Sequence, residues 1–277
     1  LGVAVLYVVS TPIGNLEDIS LRALRLLKQV DLIAAEDTRT TRNLLNFYDI
    51  KTPLTSYHEH NKLSKLGYLL HRLEEKDVAL VSEAGMPGLS DPGYELIAAA
   101  IERGIPVVPI PGASAAITAL VVSGLPASQF LYLGFLPRRK GARRRLFKSV
   151  VDEPRTVVAF ESPHRLVETL SDALEVFGDR KVAVCRELTK VYEEVFRGRL
   201  SQAIEHFAQP KGEFTLVIEG KVKQEPEISR QVEKELRKLY RQGVGAKEAV
   251  ARLSETSGIS KRKLYQAWLK VTEGDRK

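Results

Sequence analysis

Short apolar, β-branched runs alternate with amphipathic stretches along most of this chain. Val5 to Ser10, Asp31 to Glu36, Asp77 to Val81 and Pro106 to Ile110 read as buried strands, and Leu54 to Asn61 (LTSYHEHN) as a polar, partly extended segment. Between them, Asp18 to Val30 places Ile19, Leu21, Leu24, Leu27 and Val30 at helical spacing. Further helices are predicted through Leu44, Leu45 and Phe47, over Lys62 to Glu74, Tyr94 to Arg103 and Ser114 to Val122. Strands that alternate with helices imply a mostly parallel sheet covered on both faces, an α/β fold. Ser123-Gly-Leu-Pro126 breaks the last helix and marks a joint, so a first domain is expected over residues 1–122.

A second α/β domain is expected over residues 123–223. Its strands are Phe130 to Phe135, Thr156 to Phe160, Lys181 to Arg186, Val195 to Leu200 and Phe214 to Glu219, with helices from about Arg144 to Val151, Leu166 to Phe177 and Ser201 to Phe207. The close succession of its later strands favours a mixed sheet. From residue 224 to 277 the pattern is helical and charged. Val232, Leu236 and Leu239 share a helix face, and Ala246 to Glu255, Thr256-Ser-Gly258 and Ser260 to Val271 read as helix, glycine turn, helix. That pattern is helix-turn-helix-like; a helical hairpin that only docks is the plainer reading.

Two loops stand out because each follows a strand. Val81 to Tyr94 (VSEAGMPGLSDPGY) and Ile110 to Ala116 (IPGASAA) are rich in Gly, Ala and Ser, which let a ligand approach the main chain. In an open α/β sheet ligands bind outside the carboxyl ends of the strands. Thr11-Pro-Ile-Gly-Asn15 is a third such loop, and none of the three has the G-x-G-x-x-G dinucleotide spacing. Proton-transfer residue types also fall at strand ends. Glu36, Asp37, His58, His60 and Glu161 are candidates for a general base, with no ranking among them; Thr38 or Thr40 next to Glu36 and Asp37 is a plausible helix cap. His58 and His60 lack a third metal ligand in the sequence, so no metal site is expected.

Composition adds the partner class. Of 277 residues, 44% are hydrophobic and 28% charged, with no run long enough for a membrane helix and a single cysteine, Cys185. With a start that reads as a strand and not a leader, these features lead to the expectation of a cytoplasmic protein. The net charge of +7 is uneven: residues 1–220 hold 27 basic and 27 acidic side chains, and residues 221–277 hold 15 and 8. Within the neutral part, Arg138 to Lys148 (RRKGARRRLFK) carries seven basic residues and no acid. Two basic zones suggest a polyanion, although solvated charge runs are common.

The motifs TPIGNLEDISLRA, EDTRTTRNLL, SYHEHN, AGMPGLSDPGY, PIPGASAAITAL, SGLP, GFLPRR, ESPHR, RELTK and KGE occur in this order. Together they resemble the bacterial small-subunit ribosomal RNA (cytidine-2′-O)-methyltransferases, a branch of the tetrapyrrole methylase superfamily. The resemblance covers about Leu6 to Gly220, and the basic tail is similar to the extra C-terminal domain of those enzymes. Glu83 and Met86 depart from the family's usual Asp and Thr.

The resemblance implies two α/β domains with a cofactor cleft between them, a homodimer, and S-adenosylmethionine as methyl donor. It implies cofactor contacts at Ile13, Ala84, Gly85, Met86, Leu89, Ser114, Ala115, Glu161 and Leu188. It also implies small-subunit (16S) ribosomal RNA, naked or in the assembled 30S subunit, as the partner. Arg138, Arg139, Lys140, Arg143, Arg144, Arg145, Lys261, Arg262 and Lys263 are then expected to hold phosphates. A methyltransferase acting on a precorrin-type tetrapyrrole and a non-catalytic RNA-binding assembly protein are the alternatives.

Overall fold

The computed structural model describes residues 4–222 and 227–274. The expected start of the tail, residue 224, lies outside the described residues. The chain folds as two compact units, one up to Lys221 and the other from Val222 onward.

The first half of the larger unit holds strands β1 (Leu6–Val9), β2 (Leu32–Ala35), β3 (Leu54–Ser56), β4 (Val78–Val81) and β5 (Val107–Ile110). They pair in the order β3-β2-β4-β1-β5, every pairing parallel. Helices α1 (Leu21–Gln29) and α2 (Thr38–Phe47) cover one face through Leu26, Leu27, Leu44 and Leu45. Helices α3 (Lys62–Arg72) and α4 (Tyr94–Glu102) cover the other through Leu69, Leu70, Leu96 and Ala100. Burial on both faces is why β2 and β4 are continuous apolar runs with no alternation. The segment around His58 is extended only as far as Ser56; His58 to Asn61 forms a turn closed by the Asn61 side chain, whose Oδ1 accepts from the His58 amide at 2.8 Å.

Helix α5 (Ala115–Val122) ends the first half in chain order, yet its Ala116, Ala119 and Leu120 pack on the second sheet, against Val158, Ala183 and Val217. That sheet consists of β6 (Phe130–Phe135), β7 (Thr156–Glu161), β8 (Lys181–Arg186), β9 (Glu194–Arg199) and β10 (Phe214–Ile218), in the order β6-β7-β10-β8-β9. Only β6 and β7 pair in parallel, so the sheet is mixed. Its other face is covered by α6 (Lys140–Ser149), α7 (Leu166–Phe177) and α8 (Leu200–His206) through Phe147, Leu166, Leu170, Leu200 and Ala203.

Among its described residues the smaller unit has three helices: α9 (Arg230–Arg241), α10 (Ala246–Ser257) and α11 (Lys261–Gly274). Leu236, Leu239, Leu253, Leu264 and Trp268 form its core, with the Tyr240 ring edge-on to Trp268 at 5.7 Å. Gly258 ends α10 in the left-handed region (φ +68°), and Ser260 Oγ accepts from the Lys263 amide at the start of α11.

Candidate active site

Three strand-end loops of the first sheet are tied to one another. Thr11 and Gly85 exchange both backbone hydrogen bonds, at 2.9 and 3.0 Å, joining the loop after β1 to the loop after β4. The buried Ser82 hydroxyl donates to Gly85 O at 3.1 Å, and Ser10 Oγ donates to Ala113 O at 2.8 Å, which brings in the loop after β5. The second sheet closes over this edge through the loop after β8. Its Thr189 hydroxyl accepts the Asn15 amide at 3.0 Å, and Glu187 and Thr189 have positive φ values of 49° and 66°. Strain of this kind in non-glycine residues persists where surrounding contacts hold it. Gly14 is needed for the closure: a Cβ there would lie 2.4 Å from Lys190 Cγ.

The loops enclose a cavity of about 620 Å³ between the two sheets. All nine positions expected to contact a cofactor, from Ile13 to Leu188, line it. The candidate acids fare differently. Glu36 lines the cavity, its Oε2 accepting the Glu83 amide at 3.1 Å, and burial raises its pKa. Asp37 instead caps α2: it accepts from the Arg39 and Thr40 amides and from the Arg39 guanidinium. Those bonds hold its carboxyl at about 2, too low for a base near neutrality.

Glu161 is buried at the end of β7 with both oxygens engaged. Oε2 accepts from Thr169 Oγ1 at 2.7 Å, and Oε1 accepts from the Ser162 amide and pairs with Arg165 at 2.5 Å. With these partners the carboxylate is held in place at the cavity wall. His60 is exposed in the turn, 6.0 Å from the His58 ring, and neither histidine lines the cavity. His58 Nδ1 is buried without a hydrogen-bond partner among the described residues.

Sequence reasoning missed Asp91. It lines the cavity from the loop after β4, and burial, with the charge of Glu36 next, raises its carboxyl to about 7. Glu83, also lining the cavity, adds to the effect. A carboxyl tuned to neutrality can both accept and release a proton there. Asp91 lies inside the glycine-rich stretch already singled out, but Ser-Asp-Pro-Gly reads locally as a turn. Among the described residues no group of three or more His, Cys, Asp and Glu is arranged to hold a metal ion.

The expected basic surface is partly an illusion of the sequence. Helix α6 begins at Lys140 rather than near Arg144, and the helical turn sends Arg143 inward with Phe147. Arg143 is fully buried; Nε and Nη2 donate to Asp172 Oδ2 at 2.8 and 2.5 Å, and Nη2 lies 3.3 Å from Glu168. It is corrected from a phosphate ligand to a core ion pair. Arg144 is half-buried and pairs with Glu175. Arg138, Arg139, Lys140 and Arg145 are exposed, and so are Lys261 and Arg262 on α11, where Lys263 is half-buried.

A family model described as Tetrapyrrole (Corrin/Porphyrin) Methylases matches residues 5–204. The chain belongs to this family. It is 49% identical over 272 residues to a ribosomal RNA small subunit methyltransferase I from Halalkalibacterium halodurans, covering 95% of this chain and 94% of that protein. A protein of the same name from Thermotoga maritima is 54% identical over 219 residues, which span 98% of it but 78% of this chain. Among solved structures, diphthine synthase shares the fold with a TM-score of 0.63 at 16% identity, covering 78% of this chain and 90% of that one. Membership implies a bound methyl donor.

Proposed function

We propose that this protein transfers a methyl group from S-adenosylmethionine to the ribose 2′-hydroxyl of a cytidine in small-subunit ribosomal RNA. The observation that carries the reading is the cavity itself: an acid-lined pocket with Phe135 in its wall, three residues before the exposed run Arg138, Arg139 and Lys140. The names of the relatives agree with it. S-adenosylmethionine fits the residues present. The loops offer main chain at Ala84, Gly85, Ser114 and Ala115, the volume is that of a small-molecule site, and Glu36, Glu83 and Asp91 suit a cationic ligand. When bound, that cofactor supplies an electrophilic methyl on a sulfonium.

The protein's own part is alignment and proton transfer. The cross-linked loops fix one reactant against the other, which lowers the entropic share of the barrier. Among the carboxyls that line the cavity, Glu36 and Asp91 are the two whose affinity for a proton burial raises. One of them takes the proton of the attacking hydroxyl. The exposed arginines and the basic face of α11 hold phosphates and confer salt sensitivity without choosing the nucleotide.

A homodimer is supported by α5, which exposes Ile117 and Val121 one turn apart, apolar side chains that a monomer would leave in water. No helix among the described residues is long and apolar enough to cross a membrane. The test is transfer of labelled methyl from S-adenosylmethionine to assembled small subunits, naked ribosomal RNA and a tetrapyrrole precursor, with nucleosides separated afterwards. Label in 2′-O-methylcytidine is expected; label in the tetrapyrrole alone overturns the reading.

A further inference from the structure

Strand β6 does not run straight to its end. Its pairing with β7 shifts register between Tyr132 and Phe135, and Gly134, inside the shift, has φ +64°. A Cβ at 134 would lie 2.9 Å from Ser90 Oγ, and that Ser90 hydroxyl is hydrogen-bonded to the Tyr132 hydroxyl at 2.7 Å. The irregularity is thus held against the glycine-rich loop of the first half. Bulges next to active sites re-aim a side chain, and the side chain here is Phe135.

Phe135 lines the cavity and is nevertheless 59% exposed. Its position is braced: Phe160 of β7 meets it at a centroid distance of 5.4 Å and an interplanar angle of 62°, and Phe160 in turn meets Tyr132 at 5.4 Å. The result is a supported aromatic ring presented to solvent at the cavity. Buried Leu136 anchors the chain immediately after it, and Arg138, Arg139 and Lys140 follow, all exposed. A flat apolar surface and a group of cations therefore lie within six residues. That pairing matches the two faces of a nucleotide, a base to stack and a phosphate to neutralise. An apolar protein partner would not call for the cations.

We propose that Phe135 is the stacking platform for the base of the nucleotide whose ribose is methylated, with Arg138 and Arg139 holding the flanking phosphates. This rests on the RNA reading of the cavity and extends it to the selection of the target. A ribose inside a stacked helix cannot enter a cavity between two sheets, so its nucleotide must leave the stack, and an aromatic ring offsets the stacking that is lost. The β6 bulge supplies the aim and the Phe160 ring the rigidity.

The test uses the full chain with Phe135→Leu, which keeps an apolar side chain, Phe135→Tyr, which keeps the ring, and Phe135→Trp. Methyl-transfer kinetics are measured with small-subunit ribosomal RNA, S-adenosylmethionine affinity by calorimetry, and mass by light scattering. Loss of one base–aromatic stack predicts a KM for RNA raised about tenfold to a hundredfold in Phe135→Leu. Unchanged cofactor affinity, unchanged mass and a Phe135→Tyr variant within about twofold of wild type complete the expected result.

The chain has a single tryptophan, Trp268, buried in the smaller unit. New emission from Phe135→Trp, above the wild-type signal, should be quenched on adding RNA. An unchanged KM in Phe135→Leu, a parallel loss of cofactor affinity, or a change of mass overturns the proposal while leaving the RNA reading in place. Absence of RNA methylation by the wild-type chain overturns both.

Discussion

The cavity wall from the first sheet sets Glu36, Glu83 and Asp91 on a frame of Gly85, Ala84 and Ala115, whereas the wall from the second sheet presents Phe135 and Phe160 and leads on to exposed Arg138 and Arg139. The first is acidic and lets a ligand reach the main chain. The second is aromatic and borders on cations. A sulfonium donor and an RNA acceptor differ in the same two respects, since one is a small cation and the other a polyanion with flat bases. The contrast between the walls therefore teaches which substrate each serves. Glu161 and Glu213 sit on the second wall and would blur the contrast, but Arg165 and Thr169 neutralise and satisfy the first, and Lys190, 2.9 Å away, pairs with the second.

The largest expected effect concerns what the second wall is not. Arg143→Ala removes both guanidinium hydrogen bonds from Asp172, which is itself 2% exposed, and leaves it only Lys140 at 4.0 Å; breaking a buried ion pair in this way costs about 3–5 kcal/mol. Denaturant unfolding of the full chain should show that loss, while Arg145→Ala at the exposed side of the same helix leaves stability unchanged. Equal stability of both variants would return Arg143 to the surface group.

The next effect bears on the first wall. Burial raises the Asp91 carboxyl to about 7, so below that pH it holds its proton and cannot accept another. As the base, it makes kcat fall about tenfold per pH unit below 7, and Asp91→Asn lowers kcat about a hundredfold and removes that limb. A normal limb in Asp91→Asn assigns the proton to Glu36. The smallest effect is at Asp37. Loss of its cap in Asp37→Ala costs about 1 kcal/mol of stability. Because its pKa is depressed to about 2, the carboxylate's stabilisation is present above pH 4 and fades as pH falls through 2. A kcat loss comparable to that of Asp91→Asn would instead make Asp37 part of the chemistry.

Much of the frame was legible in the sequence because its causes are local. Apolar β-branched runs mark β1, β2, β4 and β5, and small residues after strands mark the loops that converge on the cavity. What was not legible depends on partners far along the chain. The Asp91 shift comes from burial and from Glu36, 55 positions earlier, and nothing in Ser-Asp-Pro-Gly announces it. Arg143 looks like its basic neighbours until Asp172 is known to face it, although its spacing from Phe147, one helical turn, was a usable signal. The start of α6 at Lys140 was hidden by the charge run and by Gly141, a poor helix former. The bulge that aims Phe135 lies in an otherwise regular run, FLYLGF, where only Gly134 hints at it.

The division between the walls is tested most directly by a crossed titration of the full chain. Glu36→Gln and the double variant Arg138→Ala/Arg139→Ala are each titrated with S-adenosylmethionine and, separately, with small-subunit ribosomal RNA at several salt concentrations. Glu36→Gln is expected to change cofactor affinity alone, and the double variant to weaken RNA binding and lower its salt dependence by about two ion equivalents with cofactor affinity intact. If each variant weakens both ligands to the same extent, the walls do not divide the work and the account is wrong.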